Sequence, residues 1–141
     1  MSGFDLSYRW MYIVEESTGI LKSRFDLSDR QTITKFTSTT VYCMDIDTEE
    51  NRLYWINTDG EIKSCKDDGS DVKTILSTNV RRTYYALHVV GSYIYYATAN
   101  QLLMLSKLSG STPTVLYNDS SYIHSIFAFN QSGMLINMIN I

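Results

Sequence analysis

A chain of 141 residues is long enough to bury the core of one domain, and its hydrophobic content of 44% is ordinary for a globular protein. The net charge of −3 predicts no affinity for nucleic acid. The sequence contains no run of about eighteen apolar residues, so no membrane-spanning helix is predicted. The first residues lack a basic region followed by an apolar one, so no secretory signal peptide is predicted.

A repeat runs along the chain in more than one register. Tyr12, Tyr54 and Tyr95 are spaced by 42 and 41 residues, and each of them follows an apolar residue. The segment Asp68-Gly69-Ser70 recurs 41 residues later as Ser109-Gly110-Ser111. A period of about 40 to 45 residues that holds four strands is typical of a β-propeller blade.

The repeat divides the chain into consecutive predicted blades. We predict an all-β fold of antiparallel four-stranded blades, with the propeller incomplete in this chain. The predicted order is a blade at 1–38 that lacks most of its first strand, a central blade at 39–78, a third blade at 83–118 and the start of a fourth at 122–141. An incomplete ring leaves apolar sheet faces open, and we expect self-association through them.

The central blade has the clearest turn and strand signals. Asp59-Gly60 and Asp68-Gly69 are predicted tight turns, because the glycine adopts a positive φ without steric strain. Alternation along the first strand of this blade predicts two faces, with Cys43, Asp45 and Asp47 on one and Tyr42, Met44 and Ile46 on the other.

The second strand of the central blade begins an ordered motif. Tyr54 and Trp55 open a tetrapeptide in which Ile56 and Asn57 stand where the related pattern has Thr and Asp. With the residues around it, this blade resembles the YWTD repeat of low-density-lipoprotein-receptor-like proteins. The resemblance implies a six-bladed β-propeller, and we expect Trp55 to pack between blades because large aromatic side chains dominate burial. It assigns a structural role to the repeat-motif residues, which are Asp45, Asp47, Leu53, Tyr54, Trp55, Asn57, Gly60, Ile62 and Gly69.

The same resemblance implies a function of binding. It implies a module of an endocytic or signalling receptor in an extracellular setting, with a protein ligand, no catalytic residue, no cofactor and no metal. The alternative is a fragment of a propeller enzyme, because six-bladed propellers also include lactonases and lyases with a metal in the central channel. The polar residues that the predicted inner strands offer to such an enzyme are Asp45, Asp47, His88 and His124.

Isolated acidic and histidine residues have both a functional and a structural interpretation. Asp5, Asp45 and Asp47 lack the loop pattern of a calcium site, and the resemblance implies that the acidic residues beside its motif tie blades together. His88 and His124 are candidates for metal binding or pH sensing. No further ligand accompanies them at the spacing of a metal site, which favours a structural role for both.

The two cysteines are predicted to be free thiols. Cys43 and Cys65 lie on the first and third predicted strands of the central blade, with the second strand between them. Strands separated in this way are about 9.5 Å apart, which is beyond the reach of a disulfide. We therefore expect two buried thiols that pack as small apolar residues.

Two surface features have open interpretations. The pairs Arg81-Arg82 and Tyr84-Tyr85 predict either a patch for an anionic ligand or a solvated turn. Asn118 and Asn130 each begin a glycosylation sequon, which is compatible with a secreted location and also expected by chance in a chain rich in Ser and Thr.

Overall fold

The structure, a computed structural model, describes residues 9–15, 18–35, 40–78, 83–84, 86–131 and 133–139, with the backbone alone from 127 onward. Within these residues all regular elements are β-strands paired in antiparallel sheets, which confirms the predicted fold class. No helix in this described part is long and apolar enough to cross a membrane. The chain divides into two compact units, Met1–Thr40 and Val41–Ile141.

The first unit contains one three-stranded sheet in the order β1-β2-β3. Its strands are β1 (Trp10–Glu15), β2 (Gly19–Arg24) and β3 (Gln31–Lys35). The predicted blade at 1–38 lacks most of its first strand, and the part of that strand that it would retain, before β1, lies outside the described residues together with Asp5.

The second unit contains two four-stranded sheets and a hairpin, each with its strands in chain order. The second sheet consists of β4 (Val41–Asp47), β5 (Arg52–Asn57), β6 (Glu61–Lys66) and β7 (Lys73–Ser77). The third sheet consists of β8 (Ala86–Val90), β9 (Tyr93–Ala97), β10 (Gln101–Ser106) and β11 (Thr114–Asn118). The hairpin pairs β12 (Ser125–Gln131) with β13 (Gly133–Ile139). The domain boundaries given above stay predictions.

A β-bulge recurs at one place in the first three sheets. The register shifts between β2 and β3 at Ile20/Leu21, between β6 and β7 at Ile62/Lys63, and between β10 and β11 at Leu102/Leu103. In each case the outermost strand carries the extra residue, which bends that strand and increases its twist. The recurrence shows that the repeat extends to backbone detail.

The turns that follow β2 and β6 have the same hydrogen bonds. Asp26 accepts from the backbone N–H of Ser28 at 3.0 Å and from its hydroxyl at 2.6 Å. Asp68 accepts from Ser70 in the same way, at 2.9 and 2.6 Å. The residue inside each turn has a positive φ, which is 85° at Gly69 and 67° at Leu27. Glycine adopts this conformation freely, whereas leucine is strained in it.

The core of the second unit lies on both faces of the third sheet. One cluster joins β5, β6 and β7 to the third sheet through Tyr54, Ile56, Ile62, Ile75, Leu87, Val89, Ile94, Tyr96 and Leu105. A second cluster on the other face of the third sheet includes Tyr95, Ala97, Leu102, Ile123 and Ile126. Successive sheets of this unit therefore pack face to face through alternating apolar side chains.

Tyr42 departs from the predicted alternation along β4. The pairing of β4 with β5 shifts register between Val41 and Cys43, so Tyr42 is an extra residue in a bulge. Its ring lies 6.3 Å from that of Tyr84, a member of the cluster against which Cys43 also packs. The bulge changes the side to which Tyr42 points, and a strict period of two does not anticipate this.

Candidate functional site

Polar residues tie the inner edge of the second sheet to the third sheet. The Oδ2 atom of Asp45 accepts a hydrogen bond from the backbone N–H of Val89 at 2.8 Å, and Nδ1 of His88 lies 2.9 Å from the same oxygen. Asp47, two residues along β4, forms an ion pair with Lys107, which directly follows β10. We call these five residues the polar seam. Its bonds fasten one sheet to the next at the face where both bury apolar side chains.

Asp47 is the most heavily engaged carboxylate of the polar seam. Its side chain and that of Lys107 are each only 10% exposed. Asp47 also accepts from the backbone N–H groups of Glu49 and Glu50, at 2.9 and 3.3 Å. Burial alone raises the pKa of Asp47, but the hydrogen bonds from Lys107 and from these two N–H groups outweigh it and hold the pKa below its ordinary value.

Tyr54 connects the polar seam to the core. Its ring belongs to the apolar cluster, while its hydroxyl donates to Glu50 at 3.2 Å. The ammonium of Lys107 lies 5.5 Å from the ring centroid, within the range of a cation–π interaction. Burial raises the pKa of the Tyr54 hydroxyl, and the negative charge of Glu50 raises it further.

Arg52 is a site residue that the sequence analysis missed. Its Nε donates to the hydroxyl of Ser64 at 2.9 Å, and its Nη1 and Nη2 donate to the carboxylate and the carbonyl of Asp71 at 2.9 and 2.6 Å. The Arg52 side chain is only 10% exposed, so these bonds satisfy a nearly buried charge. The recurrence of Ser28-Asp29 as Ser70-Asp71 marks the acceptor but not its arginine, because Asp29 pairs with Arg24 in the first sheet.

The remaining repeat-motif residues form the body and the turn of β5. Leu53 and Trp55 are buried, at 0% and 4% exposure, and alternation puts them on the face of the second sheet opposite to Tyr54. Asn57 ends the strand, and its Oδ1 accepts from the backbone N–H groups of Asp59 and Glu61 at 3.1 and 3.0 Å. The register sets Lys63 of β6 opposite Trp55, and Tyr54 rather than Trp55 is the aromatic residue that packs against the third sheet.

A cleft of about 280 Å³ opens beside the polar seam, between the second sheet and the end of β10. We call it the basic cleft. Four cationic side chains and one carboxylate line it, together with Tyr54 and Leu108. The charged residues are Arg52, Lys66, Lys73, Lys107 and Glu50.

The polar residues predicted for inner strands do not fit a metal site. His88 is directed at Asp45, which also accepts a backbone N–H, and the ammonium of Lys107 lies against Asp47 where a metal cation would be repelled. His124 is exposed beside Tyr122, with ring centroids 6.3 Å apart. Within the described residues no three His, Cys, Asp or Glu side chains form a group that could hold a metal ion.

Both cysteines are free thiols. The register pairs Cys43 with Ile56 and Cys65 with Leu53, so β5 separates the two residues. Burial raises the pKa of Cys43 to about 12. The pKa of Cys65 is raised to about 11, and burial is the largest cause. Thiols with such pKa values are poor nucleophiles at neutral pH.

Tyr84 does not contribute to the surface patch of arginines and tyrosines that was one interpretation of the sequence, because its side chain is buried. That side chain is 5% exposed and belongs to the apolar cluster, because its ring packs 6.3 Å from the ring of Tyr96. Arg81, Arg82 and Tyr85 lie outside the described residues.

The two sequons differ in what the structure describes. Asn118 is exposed at the end of the outermost strand β11, where a glycan would meet no buried side chain. Asn130 belongs to β12, for which only the backbone is described at this position. Glycosylation of either residue stays a prediction.

The repeated antiparallel sheets and the polar seam define a β-propeller-like all-β chain. No protein-family model and no curated protein sequence matches it. A solved structure of a nidogen/laminin complex is similar over 93% of this chain, with a TM-score of 0.71 and 12% identity, and this chain spans only 50% of the length of that one.

Two further solved structures are similar to this chain. The computationally designed protein Ika4 matches 96% of it with a TM-score of 0.60 and 13% identity, and 87% of the Ika4 chain is covered. The N-terminal domain of Nup159 matches 94% of it with a TM-score of 0.52 and 11% identity, and 37% of that chain is covered. Identities this low show a shared fold alone.

Proposed function

We propose that this chain is part of a β-propeller module that binds a protein ligand. The observation that carries the proposal is the polar seam, in which Asp45 and Asp47 of one sheet bond to Val89 and Lys107 of the next. Sheets fastened in this way present their equivalent turns side by side. A row of turns on a rigid scaffold is a common surface for binding other proteins.

The finer part of the proposal is a YWTD-type propeller in the extracellular part of a receptor. Its support is the ordered motif around Tyr54 and Trp55, the repeat of 41 to 42 residues, and the similarity to a chain of the nidogen/laminin complex. The neighbour is a protein–protein complex by its description, which is compatible with a protein partner for this chain. Further repeats in the coding sequence on both sides would support six blades, and their absence there would refute that number.

The proposal is one of binding rather than catalysis. Asp45, Asp47 and His88, which an enzyme with a central metal would need, are used in bonds between the sheets. A carboxylate that holds an ammonium ion and backbone N–H groups is not free to accept a substrate proton or a metal. The cysteines support the same proposal, since burial keeps both thiols protonated at neutral pH.

The binding proposal is tested by panning a random peptide library against the immobilised 141-residue chain. Enriched peptides are synthesised, and their affinity for the soluble chain is measured by calorimetry. We expect specific peptides that bind the folded chain and not the urea-unfolded one. Failure to enrich any peptide over an unrelated all-β scaffold would overturn the proposal.

A parallel measurement addresses the enzyme alternative. The chain is dialysed against Ca²⁺ or Zn²⁺, then against metal-free buffer, and its metal content is determined by elemental analysis. We expect no stoichiometric retention, because Lys107 and His88 occupy the carboxylates of the polar seam. Retention of one equivalent that Asp47→Asn abolishes would favour the enzyme.

A further inference from the structure

We propose that the basic cleft is a binding site for an anionic side-chain group, a carboxylate or a phosphate, carried by a protein partner. The inference rests on the proposed binding function and adds the chemistry of one contact. Its elements are a concentration of cations, one lysine that forms no ion pair with any residue the structure describes, a pre-oriented arginine and a volume suited to a single side chain.

Positive charge is concentrated at the basic cleft although the chain as a whole is negative. The sequence has 12 Lys and Arg and a net charge of −3, and four of those 12 line this one cleft. Low-dielectric walls around charges of one sign focus their field and attract an oppositely charged ligand. Asp47, Glu50 and Asp71 offset part of this charge through their ion pairs with the cleft cations.

Lys66 is the cation of the basic cleft that pairs with none of these three carboxylates. Within the described residues it forms no ion pair, and its side chain is exposed at the end of β6. The equivalent residue of the first sheet, Arg24, is used by the fold, because its guanidinium lies 3.6 Å from the Trp10 ring and pairs with Asp29 at 3.5 Å. Lys66 has no such contact. Asp68, whose carboxylate accepts two hydrogen bonds from Ser70, attracts Lys66 without forming an ion pair with it, so the exposed ammonium of Lys66 can bind a ligand.

Arg52 supplies an oriented guanidinium to the same cleft. Ser64 and Asp71 hold it through three hydrogen bonds. A guanidinium has about five N–H donors, so about two remain for an oxyanion. A donor that is already fixed loses little entropy on binding, which favours recognition of a planar carboxylate or a phosphate.

The size of the basic cleft limits the ligand to one side chain. Its volume of about 280 Å³ lies at the lower end for pockets that hold a small molecule. A Glu side chain or a phosphoserine fits such a volume while the rest of its peptide stays outside. Leu108, which also lines the cleft and is 75% exposed, offers apolar contact to the methylene groups of the ligand.

The test compares two lysine variants with the same change of charge. Fluorescent peptides with four Glu, with two phosphoserines of about the same total charge, or with Gly and Ser only are titrated with the full chain, and binding is followed by anisotropy. Lys66→Gln removes the available cation, and Lys35→Gln removes an exposed lysine of β3 in the first sheet as the matched control. Circular dichroism verifies that each variant is folded.

We expect both anionic peptides to bind and the neutral peptide not to bind. Loss of one charge at about 4 Å from an anion in water corresponds to about a fivefold weaker affinity, so Lys66→Gln should show this loss. Lys35→Gln should leave the affinity unchanged, Lys66→Arg should retain it, and added salt should weaken it. The stronger of the two anionic peptides identifies carboxylate or phosphate as the natural group.

Two results overturn the inference. One is an equal affinity of Lys66→Gln and Lys35→Gln for the anionic peptides, and the other is equal binding of the neutral peptide. If library peptides bind both variants equally, the proposed binding function is retained and only the role of the basic cleft in it is refuted. Absence of binding by both anionic peptides, while library peptides still bind, likewise removes only the basic cleft. Absence of binding by every peptide, those of the library included, would overturn the proposed function itself.

Discussion

Replacement of Leu27 by glycine should stabilise the first unit. Leu27 occupies the turn position that Gly69 and Gly110 occupy in the next two sheets, and its φ of 67° is in the left-handed region. The neighbouring bonds are otherwise alike, since Leu27 N–H donates to Arg24 and Gly69 N–H donates to Lys66, both at 2.9 Å. Leucine at this position therefore carries strain that glycine would not.

The magnitude follows from two opposing contributions. A left-handed conformation costs an L-residue about 1–2 kcal/mol, which Leu27→Gly relieves. Glycine loses about 0.5–1 kcal/mol more on folding, because its unfolded chain is freer. Leu27 is 59% exposed, so little apolar burial is lost with its side chain. The expected net gain is about 0.5–1 kcal/mol, or about 2–3 °C in Tm.

Urea unfolding followed by tryptophan fluorescence measures this gain. The chain has two tryptophans, so Trp55→Phe leaves Trp10 of β1 as the reporter of the first unit. The control is Gly110→Ala in a Trp10→Phe background, where Trp55 reports the second unit. Gly110 has a φ of 81° and open space around an added Cβ, so the alanine should cost about 1 kcal/mol through φ alone. A loss of stability in Leu27→Gly, together with the expected loss in Gly110→Ala, would refute the reasoning.

Three further outcomes are expected. Trp55→Ala should lower the free energy of unfolding by about 3–5 kcal/mol because Trp55 is 4% exposed, and an unchanged urea midpoint would show otherwise. Because the pKa of Asp47 is lowered in the folded chain, its ionised carboxylate stabilises the fold above the ordinary carboxyl pKa, and this contribution disappears as pH falls through the lowered value. The free energy of unfolding should therefore decrease less on acidification in Asp47→Asn than in the wild type. Cys43 and Cys65 should react with a thiol reagent only slowly until the chain is unfolded, and rapid native labelling would contradict their raised pKa values.

The fold could be predicted because its signals are local. The turns at Gly60 and Gly69 and the alternation along β4 lie within short stretches of sequence, and such stretches determine strand pairing between chain neighbours. The spacing of Tyr12, Tyr54 and Tyr95 adds that the same local pattern recurs. The bulges could not be predicted, because an extra residue in a strand leaves the apolar pattern almost unchanged. The left-handed conformation of Leu27 could not be predicted for a related reason, since only the equivalence of its position to that of Gly69 indicates it.

The candidate site was predictable only in part. Asp45 and Asp47 follow from the motif, and the structure brings each of them to a residue of the third sheet. Their partners could not be named, because Lys107 is 60 residues from Asp47 and depends on how two sheets are stacked. The basic cleft could not be predicted for the same reason, since its cations come from separate strands and turns.

The strict chain order of the strands has a consequence for how the molecule forms. Each described strand pairs only with described strands next to it in sequence, so a sheet can close through short loops as soon as about forty residues have left the ribosome. The first bonds that span a longer distance are those from Asp45 to Val89, 44 residues apart, and from Asp47 to Lys107. We therefore expect single sheets to appear early and the docking of one sheet on the next to limit the rate of folding, so that Lys107→Met slows folding and leaves the formation of hairpins unchanged.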